Sequence, residues 1–98
     1  MNAAEILTKI QDMADNAGPI GNSLKFDFGD QQVYVDGTGD NNTVSTEDKE
    51  ADCVIKITPS NFEKLVSGDL NPMMAVMMGK IKIKGDMGVA MKLQSLLG

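Results

Sequence analysis

The sequence predicts an α+β domain of two layers, a five-stranded sheet with helices packed on one of its faces. Three observations carry that prediction. Five short segments alternate apolar and polar residues with period two, as half-buried strands do, and on three of them every second residue is charged (Lys25, Asp27, Lys56, Lys80, Lys82, Lys84). Other segments repeat apolar residues at helical spacing between capping residues and glycine or proline stops. Residues 73–78 read Met-Met-Ala-Val-Met-Met, a helix with no polar side in a chain of net charge −5.

The elements follow in order. Asn2 and Glu5 have the spacing of a capping box, and Ile6, Ile10, Met13 and Ala17 recur at helical spacing until Gly18-Pro19 stops the first helix. Leu24, Phe26 and Phe28 alternate with Lys25 and Asp27 in the first strand. After Gly29-Asp30 a short hairpin leads to residues 32–36, where Val33 and Val35 face away from Tyr34. Residues 37–42 turn the chain into a weak third strand at 43–46, and the charged run 47–50 is a solvated loop. Cys53, Ile55 and Ile57 alternate with Val54 and Lys56 in a fourth strand that Pro59 ends. Ser60 and Glu63 then suggest a capping box for a short helix with Phe62, Leu65 and Val66 on its buried side and Gly68 at its close. Asn71 as N-cap and Pro72 at the first position open the methionine helix, and Gly79 ends it. Residues 80–84 form the fifth strand, and Gly85-Asp86 leads into a terminal helix over 86–97 whose polar residues are Lys92, Gln94 and Ser95. With charges on alternate strand positions, one sheet face meets water and the helices cover the other.

Composition narrows the function. Ninety-eight residues make a single domain, 1–98, with one small core. Aromatic residues are 4% and tryptophan is absent, so aliphatic residues and methionine fill the interior. Fourteen acidic residues against nine lysines, with neither arginine nor histidine, argue against a nucleic-acid partner, which requires a concentrated basic face. The same balance repels an anionic membrane on average, leaving room for transient contact only. The single Cys53 cannot form an internal bridge and fits a reducing compartment, so the cytoplasm is the expected location. The amino-terminal segment lacks the pattern of a secretory signal, and no apolar run approaches the roughly 20 residues that span a bilayer.

The side chains offer little for chemistry. Residues 37–42 resemble neither a dinucleotide loop, since the third glycine is missing, nor a calcium loop, since Asn41 stands where that turn needs glycine and strands flank it. A hairpin turn accounts for them. Cys53 has no histidine to activate it, and the carboxylates fall in loops or on the solvated face. The expectation is a non-enzymatic domain without metal or cofactor. The methionine helix and the terminal helix carry more apolar surface than one contact layer uses. A helix apolar all round must be covered on every side, which leaves three readings open: tight core packing, a homodimer face, or a ligand cavity. Methionine suits the last, because its flexible thioether repacks around irregular shapes.

Asn71-Pro72, Ala75, Gly79-Lys80-Ile81-Lys82-Ile83 and the run Gly85-Asp86-Met87-Gly88-Val89-Ala90-Met91-Lys92-Leu93-Gln94 resemble the signature of the sterol carrier protein type 2 family of nonspecific lipid-transfer domains. Residues 51–57 and Phe62 are also similar to that family's fourth strand and following helix. The resemblance implies a five-stranded mixed sheet with helices on one face, enclosing an apolar tunnel that accepts a lipid: fatty acid, acyl-CoA, phospholipid or sterol. Carried over by position, it implies a lining drawn from Phe62, Leu65, Val66, Met73, Met74, Met77, Met78, Met87, Ala90 and Met91. At Val76, Met77 and Met78 the chain departs from the aromatic and glutamine residues that the family often carries. A presenting role for isoprenoid quinone precursors would keep the tunnel and change the cargo.

A dry cavity of about 300 Å³, the lower size for a ligand pocket, costs roughly 7 kcal/mol at about 24 cal/mol per Å³. Total stability is only about 5–15 kcal/mol. The empty domain is therefore expected to collapse in part, to admit water, or to hold lipid.

Overall fold

The computed structural model describes residues 2–93 and 96. In chain order the elements are α1 (Ala3–Asn16), β1 (Ser23–Asp27), β2 (Gln32–Asp36), β3 (Thr43–Ser45), β4 (Cys53–Ile57), α2 (Pro59–Ser67), α3 (Pro72–Met77), β5 (Ile81–Gly85) and α4 (Met87–Met91). The strands form one mixed sheet in the order β3-β2-β1-β4-β5. Hairpins link β1, β2 and β3, whereas β4 lies parallel to β1 and antiparallel to β5. To reach β4 from the far edge, residues 46–52 cross the outer face of the sheet. On the way Asp48 pairs with Lys25 at 2.7 Å, and the Lys49 ammonium sits 5.7 Å from the centre of the Tyr34 ring.

The core lies on the other face. Leu24, Phe26, Val33, Val35, Cys53, Ile55, Ile57 and Ile81 point inward from the strands and meet Ile6 and Ile10 of α1, Phe62 and Leu65 of α2, Ala75 of α3 and Val89 of α4, all of them buried. The three phenylalanines pack together, Phe62 edge-on to Phe26 at 5.9 Å and to Phe28 at 5.4 Å. That geometry suits the ring quadrupoles.

The helix ends refine the sequence expectations. The capping box of α1 is present, with Glu5 N–H donating to Asn2 Oδ1 at 2.9 Å and Asn2 N–H donating to Glu5 Oε1 at 3.1 Å. Ala17 is the C-cap of that helix rather than its last buried residue, and Ala14 fills the buried place. For α2 the expected Ser60–Glu63 box is replaced by Thr58, whose Oγ1 accepts from Asn61 N–H at 3.1 Å. Proline at the first helical position needs no partner for its missing N–H, so Pro59 starts the helix and moves the cap to Thr58. The described part of the terminal helix is Met87–Met91; Leu93 and Leu96 beyond it are buried, and the expected positions 94, 95 and 97 lie outside the described residues.

The turn over 37–42 holds more than turn chemistry. Asp36 accepts from Thr38 N–H at 2.9 Å and from Thr38 Oγ1 at 2.5 Å, which holds its carboxyl below the ordinary value. Asn42 is buried, and its amide spans several backbone groups. Its Oδ1 accepts from Ile20 N–H at 3.1 Å, while its Nδ2 donates to Gly18 O at 3.0 Å and Ala14 O at 3.2 Å. The end of α1 is thereby tied to the β2–β3 turn. Gly37 makes room for this knot, since a Cβ there would collide with Ile20 Cγ1 and stand 2.7 Å from Asn42 Oδ1. Among the described residues no cluster of acidic, histidine or cysteine side chains has the geometry to hold a metal ion, and no helix is long and apolar enough to cross a membrane. Asn42→Ala strands buried backbone donors and acceptors and is expected to lower stability by about 2–4 kcal/mol, read as a fall in the urea midpoint; Gly37→Ala should be destabilising in the same assay.

Candidate functional site

The site begins with two short helices that flank the edge strand β5. Asn71 caps α3, its Oδ1 accepting from Met73 N–H at 2.9 Å and Met74 N–H at 3.3 Å. Gly79, at φ +74°, turns the chain back so that Lys80 N–H donates to Ala75 O at 2.9 Å. Ala75 is the buried residue of α3, and its small side chain lets the helix sit close to the sheet. Of the three readings, tight packing within the one chain does not cover this helix: Met73, Met74, Met77 and Met78 are all exposed, Met77 by 80%. One turn and a half of helix touches the sheet along one line only.

Between α3 and α4, over Ile83, lies an apolar cleft of about 210 Å³ lined by Pro72, Met73, Val76, Met77, Ile83, Met87, Ala90, Met91 and Leu93. Its mouth is open, because Met77, Met87 and Met91 are themselves exposed. Among the described residues the hollow is thus a cleft rather than a closed tunnel.

Five of the ten positions expected to line the hollow are brought together here: Met73, Met77, Met87, Ala90 and Met91. Met74 and Met78 are exposed away from the cleft lining. Phe62 and Leu65 are buried in the solid core, and Val66 is half-buried at its margin. Four lining residues were not singled out in the sequence. Val76 follows Met73 by three, Leu93 follows Ala90 by three, and Ile83 alternates with Lys82 and Lys84, so periodicity alone places all three; Pro72 had no comparable signal.

The placement of α4 rests on a polar network. Gly85, at φ +107°, lies so close to β4 that a Cβ there would collide with Asp52 O, and Asp86 N–H donates to the same oxygen at 2.9 Å. Asp86 Oδ1 then caps α4 by accepting from Gly88 N–H at 2.8 Å. Beyond the far end of α4, Lys92 Nζ donates to Ile20 O at 2.6 Å and to Asn22 Oδ1 at 2.8 Å. Asn22 in turn donates to Asp52 Oδ2 at 3.2 Å, which also accepts from Ser23 N–H at 3.1 Å. These bonds, Ser23 foremost, hold the Asp52 carboxyl below its ordinary value. In the sequence Lys92 is one of the few polar residues of the terminal helix; in the fold it is the latch of α4. Nearby, burial pushes the Cys53 thiol up, so it is protonated at neutral pH and behaves as a small apolar side chain.

Residues 3–98 match the SCP-2 sterol transfer family, and the chain belongs to that family. Membership implies lipid binding and transfer as its class of activity. Human Sterol carrier protein 2 is 47% identical over 58 residues, 59% of this chain and 11% of the human protein. Hydroxysteroid dehydrogenase-like protein 2 of Xenopus tropicalis is 49% identical over 49 residues, half of this chain and 12% of that protein. The matched stretch thus spans about a tenth of these relatives, some of which carry much more than this domain. Among solved structures, apo Sterol Carrier Protein 2 from Yarrowia lipolytica aligns with a TM-score of 0.69 at 22% identity, covering 98% of this chain and 78% of that one. UbiJ-SCP2, a ubiquinone synthesis protein, aligns with a TM-score of 0.70 at 17% identity, covering 96% and 90%. These likenesses show that the fold is shared.

Two measurements separate core from cleft. Phe62→Ala should cost about 3–5 kcal/mol by emptying packed volume, whereas Met77→Ala should change stability by less than about 0.5 kcal/mol, both read from chemical denaturation. The Asp52 contribution should be intact above the ordinary carboxylate pKa of about 4 and lost as pH falls through its lower folded value. Asp52→Asn should therefore flatten part of the fall of the urea midpoint in acid.

Proposed function

We propose that the domain holds one lipid by an apolar chain laid in the cleft between α3 and α4, and passes it on unchanged. The observation that carries this reading is the cleft itself, walled by methionines that the fold leaves in solvent although their burial would be favourable. A resting volume of about 210 Å³ is below the range of about 300 Å³ and more that ligand pockets occupy. The walls must part to admit cargo, and methionine makes that inexpensive because it is unbranched and polarizable. Each methylene buried contributes about 0.8 kcal/mol, so a long acyl chain offsets the work of opening. A helix of six residues such as α3 is marginal on its own and stands where it does through its anchors, which suits a wall that moves. The ligand class is a hydrophobic lipid: a fatty acid, acyl-CoA, phospholipid or sterol-like molecule. The reading is non-catalytic, with a protonated Cys53 and no histidine or arginine, and places the domain in the cytoplasm.

A second reading is favoured by the same exposed methionines: two copies joined through them would bury the patch without cargo. Sedimentation at low concentration separates the two, since a carrier is stable as a monomer. The quinone-precursor variant, in keeping with UbiJ-SCP2 being a ubiquinone synthesis protein, would use the same cleft.

Delipidated protein mixed with fatty acids and acyl-CoAs should show one ligand per chain by native mass spectrometry. At a hundredfold excess over Kd the stabilisation of about 2.7 kcal/mol should raise Tm by about 10–20 °C. Met77→Asp should weaken binding by on the order of a hundredfold by placing a charge in the apolar wall. Lys92→Met should speed ligand exchange by about tenfold, the loss of a charge-assisted latch. No ligand and no shift at saturation would refute the carrier reading.

A further inference from the structure

The lysines of this acidic chain are not spread evenly. On the outer face, register places Lys56 opposite Lys82 and Val54 opposite Lys84, and Lys80 precedes the same strand. Lys56, Lys80 and Lys82 line a groove of about 380 Å³ whose wall also carries Asp27. Ion pairs among the described residues engage Lys25 and Lys49, both over the β1–β2 half of the sheet. On the β4–β5 half Lys56, Lys82 and Lys84 are exposed and Lys80 is half-buried. Meanwhile α1, with Asp12 and Asp15, packs against β3 and β2, three to four strand spacings from β5, or about 14–19 Å. Those acids lie beyond the Debye length of about 8 Å at physiological salt, so the acids that bear on this edge are Asp27, opposite Lys56 in the register, with Asp52 and Asp86 at the end of β5, against Lys56, Lys80, Lys82 and Lys84.

The apolar cleft opens at the same edge. Alternation along β5 sends Ile83 into the cleft and Lys82 and Lys84 to the other face, and β5 is the outermost strand. A plane brought up to this edge touches exposed Met77 and Met91 on one side and the lysine row on the other. Asp86, at the start of α4, is the acid nearest the row in sequence, and its carboxylate accepts from Gly88 N–H.

We propose that the β5 edge is a docking face for an anionic lipid bilayer, with Lys80, Lys82 and Lys84 meeting lipid phosphates and carboxylates while the methionines at the cleft mouth enter the interfacial layer. This deepens the carrier function and rests on that reading for its purpose, because cargo would enter where the membrane is touched. The two are measured separately. Lysines near an anionic surface contribute about fivefold each in partitioning, the equivalent of about 1 kcal/mol, so a row of three distinguishes anionic from neutral lipid by on the order of a hundredfold.

The test is co-sedimentation of the full chain with vesicles of phosphatidylcholine alone and of phosphatidylcholine mixed with phosphatidylserine. Binding should require phosphatidylserine and weaken with added salt. The triple variant Lys80→Gln, Lys82→Gln, Lys84→Gln should lose on the order of a hundredfold in partitioning while keeping fatty-acid binding in solution and its urea midpoint. Lys49→Gln, on the opposite half of the sheet, should leave partitioning unchanged. Failure to bind phosphatidylserine vesicles overturns the proposal whether or not fatty acid still binds in solution. So does a triple variant that partitions like the parent, or one that instead gains self-association, which would mean that the lysines only guard the open strand edge.

Discussion

Side-chain alternation along β4 and β5 is the constraint on which the rest of the molecule depends. Parallel pairing of β4 with β1 fixes the register, so that Cys53, Ile55 and Ile57 face inward and Lys56 faces out. Antiparallel pairing with β5 then extends the division to Ile81 and Ile83 on one side and Lys82 and Lys84 on the other. A slip of one residue would turn charges into the core and open the floor of the cleft to water. The site inherits its position from this register, since Ile83 is its floor and both walls are helices that adjoin β5 in the chain.

The walls are held by different means. α3 is fixed by one alanine and by bonds at its ends, whereas α4 is held by Asp52 and Asn22, at the starts of β4 and β1, and by Lys92, which reaches back to Ile20 and Asn22 from the end of the helix. Such a clasp is directional and breakable, unlike the interlocked phenylalanines beneath α2. The cleft therefore has a rigid floor and two lightly held sides.

The fold was largely legible in the sequence because strand alternation, glycine stops and asparagine caps all pointed to the same elements. Residues 32–36 and the Asn71-Pro72 helix start coincide with the structure. The misses have physical causes. Pro59 acted as a helix start rather than only a strand stop, which moved the cap of α2 to Thr58. Asn42 read as an ordinary turn residue, since nothing local reveals that its amide reaches Ile20 and Ala14 across the fold. For the site, the methionines of α3 and α4 announced surplus apolar surface, but composition cannot tell a covered helix from an uncovered one. Phe62 and Leu65 share the apolar character of the cleft residues, and only the tertiary packing places them in the interior. Lys92 was invisible as a latch because its partners are a backbone oxygen and an amide far away in the chain.

The six exposed thioethers of Met73, Met74, Met77, Met78, Met87 and Met91 have a chemical side as well as an oily one. Peroxide converts an accessible methionine to its sulfoxide, which is polar, chiral and reversible only through dedicated reductases. Met13, on the buried face of α1, is shielded from that fate. A wall made soft by sulfur is thus also a wall whose wettability answers to oxidants.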